Sequence, residues 1–328
     1  MNDSKASMMI VPNPSDNKRT DPMTQASGSR PPIRIAFILR VTAICTLVLL
    51  LIVPFGAGVL FMSVLVAPGC GAGFDPAALG MVAEDVQFSS AEFNRPTPAY
   101  FIPPTTMNPV TNGATVIVLP TGSSARGARI QDMLVYHDAG FAVLNFDGRG
   151  CVGGVGSSLG GKEADQVGDA LAYLTSRPDV DADRIGVHGF SAGGAAAILG
   201  AARFPSVRAV VAVGNYADFV AQIDATAPAN LGLLSPFFRF GAQIVYQAAT
   251  GEDWTILSPI RVIATIPPRR MLLVYGSNEP SLEGARQMAA LSGAALYEMA
   301  GAGHGNYLDI DGVGYRARLT EFMGAALR

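Results

Sequence analysis

Charge is scarce in this chain. Only 15% of its 328 residues are Asp, Glu, Lys or Arg, against 49% hydrophobic, and the formal net charge is −3. That balance excludes an intrinsically disordered chain, which needs many charges and few apolar residues. No cluster of Lys and Arg with interleaved aromatics occurs, so nucleic acid is not an expected partner. Cysteine is also sparse, at positions 45, 70 and 151. It lacks the paired spacing of a zinc site or a redox dithiol, so no metal is expected. Histidine occurs three times, at 137, 188 and 304, which leaves few candidates for chemistry that needs an imidazole. No internal repeat is visible.

Charge disappears altogether between Val41 and Ala67, where Leu, Val, Ile and Phe dominate. A helix needs about 20 such residues to cross the hydrocarbon core. The sequence therefore predicts a transmembrane anchor over residues 35–67, with Pro54 and the Gly56/Gly58 pair tolerated as breakers. Residues 1–34, rich in Ser, Pro, Asn and Asp, read as a disordered tail. Two alternatives stay open. A cleaved signal peptide has a shorter apolar run, of about 7–15 residues, after a short basic start. A lipoprotein would be modified at Cys70, but Ala67-Pro68-Gly69-Cys70 matches a lipobox weakly. Lys18, Arg19, Arg30, Arg34 and Arg40 precede the span, whereas the first cation after it is Arg95. The positive-inside rule then keeps the tail cytoplasmic and places the rest outside, in the periplasm or at the cell surface if the source is bacterial. In such an oxidising compartment Cys70 and Cys151 can pair; their distance is not legible in the sequence.

After a Gly/Pro-rich linker (68–81), short β-rich runs alternate with helical stretches over 82–328. That alternation predicts a mostly parallel sheet covered by helices on both faces. Val86–Ser89 and Ala99–Ile102 read as an antiparallel edge. Thr115–Leu119, Phe141–Phe146, Ile185–His188, Val207–Val213, Met271–Tyr275 and Ala295–Met299 read as the remaining strands. Helices are expected at Ile130–Asp138, Glu163–Ser176, Gly194–Phe204, Leu282–Leu291 and about Tyr315–Leu327. Residues 215–260, with Pro228, Pro236 and the cluster Phe237, Phe238 and Phe240, break the rhythm and predict a small cap.

The pattern G-x-S-x-G occurs twice. Gly156-Ser157-Ser158-Leu159-Gly160 has no strand before it and reads as a loop. Gly189-Phe190-Ser191-Ala192-Gly193 follows the strand ending at His188 and opens onto the helix Gly194-Ala-Ala-Ala-Ile. Strand, sharp turn and helix are the context of a nucleophile elbow, which lifts a serine hydroxyl clear of a sheet. Ser191 is the candidate nucleophile.

The run "GFSAGG" at 189–194, the loop "FDGRG" at 146–150 and "GAGHGNY" at 301–307 together resemble the α/β-hydrolase superfamily, over about residues 82–328. Within it the chain looks closest to membrane-anchored and prolyl-oligopeptidase-related hydrolases. The resemblance implies a Ser, then Asp or Glu, then His order along the chain. Only His304 follows Ser191, which makes it the candidate base. His188 reads instead as a strand residue packed beneath the turn, and His137 as a helix residue. Relatives carry the acid just past the strand matching Met271–Tyr275; here that turn reads Gly276-Ser277-Asn278-Glu279, so Glu279 is the candidate, with Asp218 as rival. The implied oxyanion donors are the N–H groups of Ala192 and, where relatives have His-Gly, of Ser123. Asp147-Gly148-Arg149-Gly150 either supports the site, as in relatives, or is a tight turn with a surface arginine.

What the resemblance implies is hydrolysis of an ester or amide in a small molecule or peptide, through an acyl-enzyme and with no cofactor. The cap aromatics suggest an apolar substrate pocket. Two readings compete with it: a catalytically silent binding or scaffold module on the same fold, and acyl transfer to an acceptor other than water.

Overall fold

Runs of Val, Ile, Leu and Ala that are buried on both faces form the centre of this protein. In Thr115–Val118 and its continuation, Val116 and Val118 enter one apolar cluster while Ile117 and Leu119 enter another. Val210 and Ala212 likewise oppose Val211 and Val213, and Leu273 and Tyr275 oppose Leu272 and Val274. The period of two in a strand thus distributes alternate side chains into two cores, one on each side of a single sheet.

The computed structural model describes residues 33–104, 111, 113–226 and 231–328. In chain order the elements are α1 (Ile33–Leu65), β1 (Glu84–Ser90), β2 (Arg95–Ile102), β3 (Thr115–Val118), α2 (Ile130–Asp138), β4 (Ala142–Phe146), α3 (Arg149–Gly153) and α4 (Glu163–Thr175). There follow β5 (Ile185–Phe190), α5 (Ala192–Arg203), β6 (Ala209–Val213), α6 (Phe219–Thr226), α7 (Ser235–Thr250), α8 (Pro259–Val262), β7 (Arg270–Gly276), α9 (Leu282–Ser292), β8 (Ala295–Met299) and α10 (Tyr307–Ala326). The sheet order is β1-β2-β4-β3-β5-β6-β7-β8. The β1/β2 and β2/β4 pairs are antiparallel and the rest parallel. With helices on the sheet and α6 and α7 as a helical cap, this is an α/β-hydrolase fold.

Two compact units partition the chain, Met1–Leu47 and Val48–Arg328. The described part of the first is helical. The expected disordered tail, residues 1–34, lies outside the described residues except for its last two, which are already helical. Arg34–Leu65 is long and apolar enough to cross a membrane.

Residues 68–81 are pinned to the catalytic body along their length. Pro68 bridges Gly156, a disulfide joins Cys70 to Cys151, and Gly71 N–H donates to Ser123 O at 2.8 Å. A cysteine in that disulfide cannot carry a thioether-linked lipid, which removes the lipoprotein alternative.

Two expectations need correction. The last helix begins at Tyr307 rather than near Tyr315, because a break at Asp311 (φ −150°, ψ 75°) interrupts its apolar period. Arg149 is not a surface residue: it is buried, donates to Glu92 and to Gly156 O, and ties α3 to the 156–160 loop, while Gly148 N–H donates to Ser124 O and Gly150 lies against Ser123.

Candidate active site

Register sets the site. Phe190 of β5 lies beside Val213 of β6, Val213 beside Val274 of β7, and Gly276 beside Met299 of β8. The carboxyl ends of four parallel strands are therefore level, which is where such sheets gather their ligands. Ser191 follows β5 directly, Gly214 follows β6 directly, and Glu279 and His304 sit in the turns after β7 and β8.

Ser191 has φ +55° and ψ −122°, a conformation that L-residues avoid. Backbone bonds hold it there: its N–H donates to Val213 O at 2.8 Å, and its carbonyl accepts from Gly194 and Ala195 at 2.9 and 3.1 Å. Strain kept in place by surrounding structure is a feature of functional turns. Ser191 Oγ lies 3.1 Å from His304 Nε2, and His304 Nδ1 lies 3.0 Å from Glu279 Oε2. The His304 side chain is 47% exposed while that of Glu279 is 1% exposed, so the imidazole is open to solvent and the acid behind it is screened.

Burial alone would raise the Glu279 carboxyl. Hydrogen bonds from His304, from Gly276 N–H (2.7 Å to Oε1) and from Tyr307 Oη outweigh it and hold the group below its usual range. Glu279 is then an acceptor only, so His304 Nδ1 must carry the proton and Nε2 presents its lone pair to Ser191. The Tyr307 hydroxyl is pushed up by its own burial and by Glu279, and it remains a donor.

The imidazole is also held by its faces. Its ring lies against Phe190, centroids 4.8 Å apart, and the Arg129 guanidinium sits 4.4 Å from the Phe190 centroid. Arg129 is in turn fixed by the buried Asp132. Gly214 completes the cradle at φ +61°. A Cβ there would come within 2.5 Å of Tyr307 Oη and 3.1 Å of both Glu279 Oε2 and His304 Nδ1.

A cleft of about 230 Å³ opens on Ser191 and His304, lined also by Gly214, Tyr216, Gln222, Glu279, Pro280 and Ser281. Ala192 is the first residue of α5, where helix geometry leaves the N–H without an intrahelical acceptor. In the loop after β3, Thr121 N–H is occupied by Ser124 Oγ at 3.0 Å and Ser124 N–H by Thr121 O at 3.1 Å. Ser123 N–H has no acceptor among the described residues.

Asp218 is placed elsewhere. Its carboxylate accepts from Ser258 Oγ at 2.7 Å and from Ala221 N–H at 3.0 Å, where it caps α6. His188 is buried and hydrogen-bonded to Tyr136 Oη at 3.0 Å. His137 is buried on α2. Sequence reasoning did not single out Tyr307, Gly214, Phe190 or Arg129. Of these only Tyr307 left a signal, as the last residue of the run "GAGHGNY". Among the described residues no group of His, Cys, Asp and Glu is arranged to hold a metal ion.

Fold and site together define a serine hydrolase, with an esterase-like arrangement of Ser191, His304 and Glu279 consistent with a catalytic triad. The profile of the dienelactone hydrolase family matches residues 152–230. Among solved structures the chain is similar to the esterase Pf2001 of Pyrococcus furiosus, at 18% identity and a TM-score of 0.62, covering 80% of this chain and 99% of that one. An α/β hydrolase of Penicillium sp., GrgF, aligns at 16% identity and a TM-score of 0.57, covering 75% and 99%. Porphyromonas gingivalis dipeptidyl peptidase 4 aligns at 19% identity and a TM-score of 0.56, over 75% of this chain but 36% of the peptidase. At these identities the likeness is one of fold. No curated protein sequence matches the chain.

Proposed function

We propose that this protein is a membrane-anchored serine hydrolase that cleaves a carboxylic ester or amide through an acyl-enzyme, with Ser191 as nucleophile, His304 as base and Glu279 as orienting acid. The observation that carries the reading is the unbroken chain from Ser191 Oγ through His304 to Glu279, at 3.1 and 3.0 Å, on a serine with φ +55°. His304 Nε2 takes the serine proton as Oγ adds to the carbonyl carbon. The amides of Ala192 and Ser123 receive the developing oxyanion. Collapse breaks the scissile bond, and the leaving group departs with the proton held by His304. Water, deprotonated by the same imidazole, then releases the acid and restores Ser191. No metal or organic cofactor takes part.

The anchor reading rests on the charge-free apolar run of α1, and the outward orientation on the cations that precede it. The Cys70–Cys151 disulfide supports an oxidising side for the catalytic body. A fluorophosphonate probe tests the chemistry. Wild type and Ser158→Ala should be labelled and Ser191→Ala should not; labelling of Ser191→Ala would sink the assignment. Digestion of the catalytic body by external protease tests the orientation, and digestion only after the inner membrane is opened would reverse it.

A further inference from the structure

The second half of α1 does not stand free of the cap. Pro54, Gly58, Met62 and Val66 recur every fourth residue, and all four are buried, while Ile52, Val53, Leu60 and Val64 on the other faces are exposed. Gly58 and Met62 of this stripe lie against α7, and Val66 lies against Gly156. Gly58 and Gly241 allow the two backbones to meet: a Cβ on Gly58 would come within 1.9 Å of Phe238 O, and one on Gly241 within 2.3 Å of Phe55 O. Aromatic pairs flank the crossing, Phe55 with Phe240 at 6.0 Å and Phe61 with Phe238 at 5.5 Å between centroids.

The side of α7 turned away from the core is apolar as well. Leu233, just before the helix, is 96% exposed, and Phe240 and Ile244 are 57% and 43% exposed, with Phe237 on the same stripe. One turn beyond Ile244 the stripe ends in Gln247. Counting about 20 residues from Arg40, the last charge before the span, reaches Phe61. The stretch that packs on α7, from Phe55 to Phe61, thus belongs to the final ~10 Å of the hydrocarbon crossing. We infer that α7 is an interfacial helix: its stripe of Leu233, Phe237, Phe240 and Ile244 is immersed in the outer leaflet beside the anchor, and its occupant is the acyl region of the bilayer. The inference rests on the anchor reading proposed above.

Several observations favour lipid over a second protein. The exposed ring of Phe240 touches α1 itself, so the apolar phase that receives the anchor also receives this stripe. The one cation on α7, Arg239, is paired with Asp224 at 3.4 Å. A depth of ~5–10 Å is what an amphipathic helix takes up at the headgroup boundary. The immersed helix also adjoins the site. Phe219 and Ile223 of α6 share a core cluster with Met62 and Phe238, while Gln222 of α6 lines the cleft beside Ser191.

The test uses the full chain in nanodiscs of phosphatidylcholine, in a Cys45→Ser background, with a thiol-attached bimane at one position at a time. Leu50→Cys reports the span, Phe240→Cys and Ile244→Cys report α7, and Gln247→Cys reports its polar end. Replacing the lipid with a dibrominated phosphatidylcholine should remove roughly half of the emission at 50, 240 and 244, and little at 247. Quenching at 50 with none at 240 and 244 would overturn the α7 inference and leave the anchor standing. No quenching at 50 would overturn both. Blue-shifted but unquenched probes at 240 and 244 would show a protein covering the stripe, which also overturns it.

Discussion

Segments 156–160 and 189–193 share the pattern G-x-S-x-G, and each keeps a glutamate close at hand. In the first, Glu163 is bonded to the serines themselves. It accepts from Ser157 Oγ at 2.9 Å, from Ser158 Oγ, and from the N–H groups of Ser158 and Gly160 at 2.8 and 2.9 Å. In the second, an imidazole stands between serine and glutamate. A carboxylate is too weak a base to draw a proton from a hydroxyl, so direct contact yields only a structural bond; an imidazole is matched to the task. Exposure differs in the same sense. Ser158 is buried with its glutamate, whereas Ser191 opens on a cleft. The two loops pack together, Gly160 lying against the Ala192 carbonyl, so the first loop buttresses the helix that begins at the second. The lesson is that five matching residues mean little until the strand before them and the base opposite them are known.

The comparison can be broken at either serine. Ser191→Ala should lower kcat by ~10⁴-fold or more, while Ser158→Ala should leave turnover per folded molecule within a few-fold; steady-state kinetics on titrated enzyme measures both. The two glutamates should separate next. Glu279→Gln should cost ~10³–10⁴-fold in kcat, because the amide no longer selects the Nδ1–H tautomer. Glu163→Gln should instead destabilise by ~2–4 kcal/mol, a loss read as a lower Tm with labelling of Ser191 retained in the folded fraction. Equal kinetic damage from both would erase the distinction drawn here.

Smaller changes sharpen it. Tyr307→Phe removes one of four donors to Glu279 and should reduce kcat by ~5-fold, the equivalent of one hydrogen bond of ~1 kcal/mol, with little change in KM. The smallest effect is in pH. Glu279 is held below its ordinary 4.5 in the folded protein, so the unfolded chain binds the proton more readily than the native one. The stability this provides is fully present above the unfolded value and is lost as pH falls through the folded value. The gap in Tm between wild type and Glu279→Gln should therefore be constant near neutrality and narrow below about pH 4.5. A gap that widened on acidification would contradict the direction of the shift.

Much of this was legible in the chain, for a physical reason. Buried parallel strands need unbroken apolar runs, and Thr115–Val118, Ala209–Val213 and Met271–Tyr275 are such runs. The elbow at Ser191 announced itself through the strand and helix on either side. Once order along the chain was fixed by resemblance, His304 was the one histidine left. Other features carry no local signature. Pairing of Cys70 with Cys151 depends on a distance that only the folded loops set. Phe190 reads only as the variable residue of the turn motif after His188, and its service as a platform between Arg129 and His304 follows from three elements meeting. The approach of α1 to α7 through Gly58 and Gly241 was hidden because glycines in an apolar span look like breakers, whereas their lack of a side chain is what lets the backbones touch.

The segment after α1 has a consequence for reach. A free Gly-rich tether of 14 residues would let its cargo wander by ~20 Å. Here Pro68, Cys70 and Gly71 are each fastened to the body they connect, and that freedom is gone. On the anchor reading proposed above, an enzyme on so short a leash works at one fixed height, and molecules must travel to it rather than be sought.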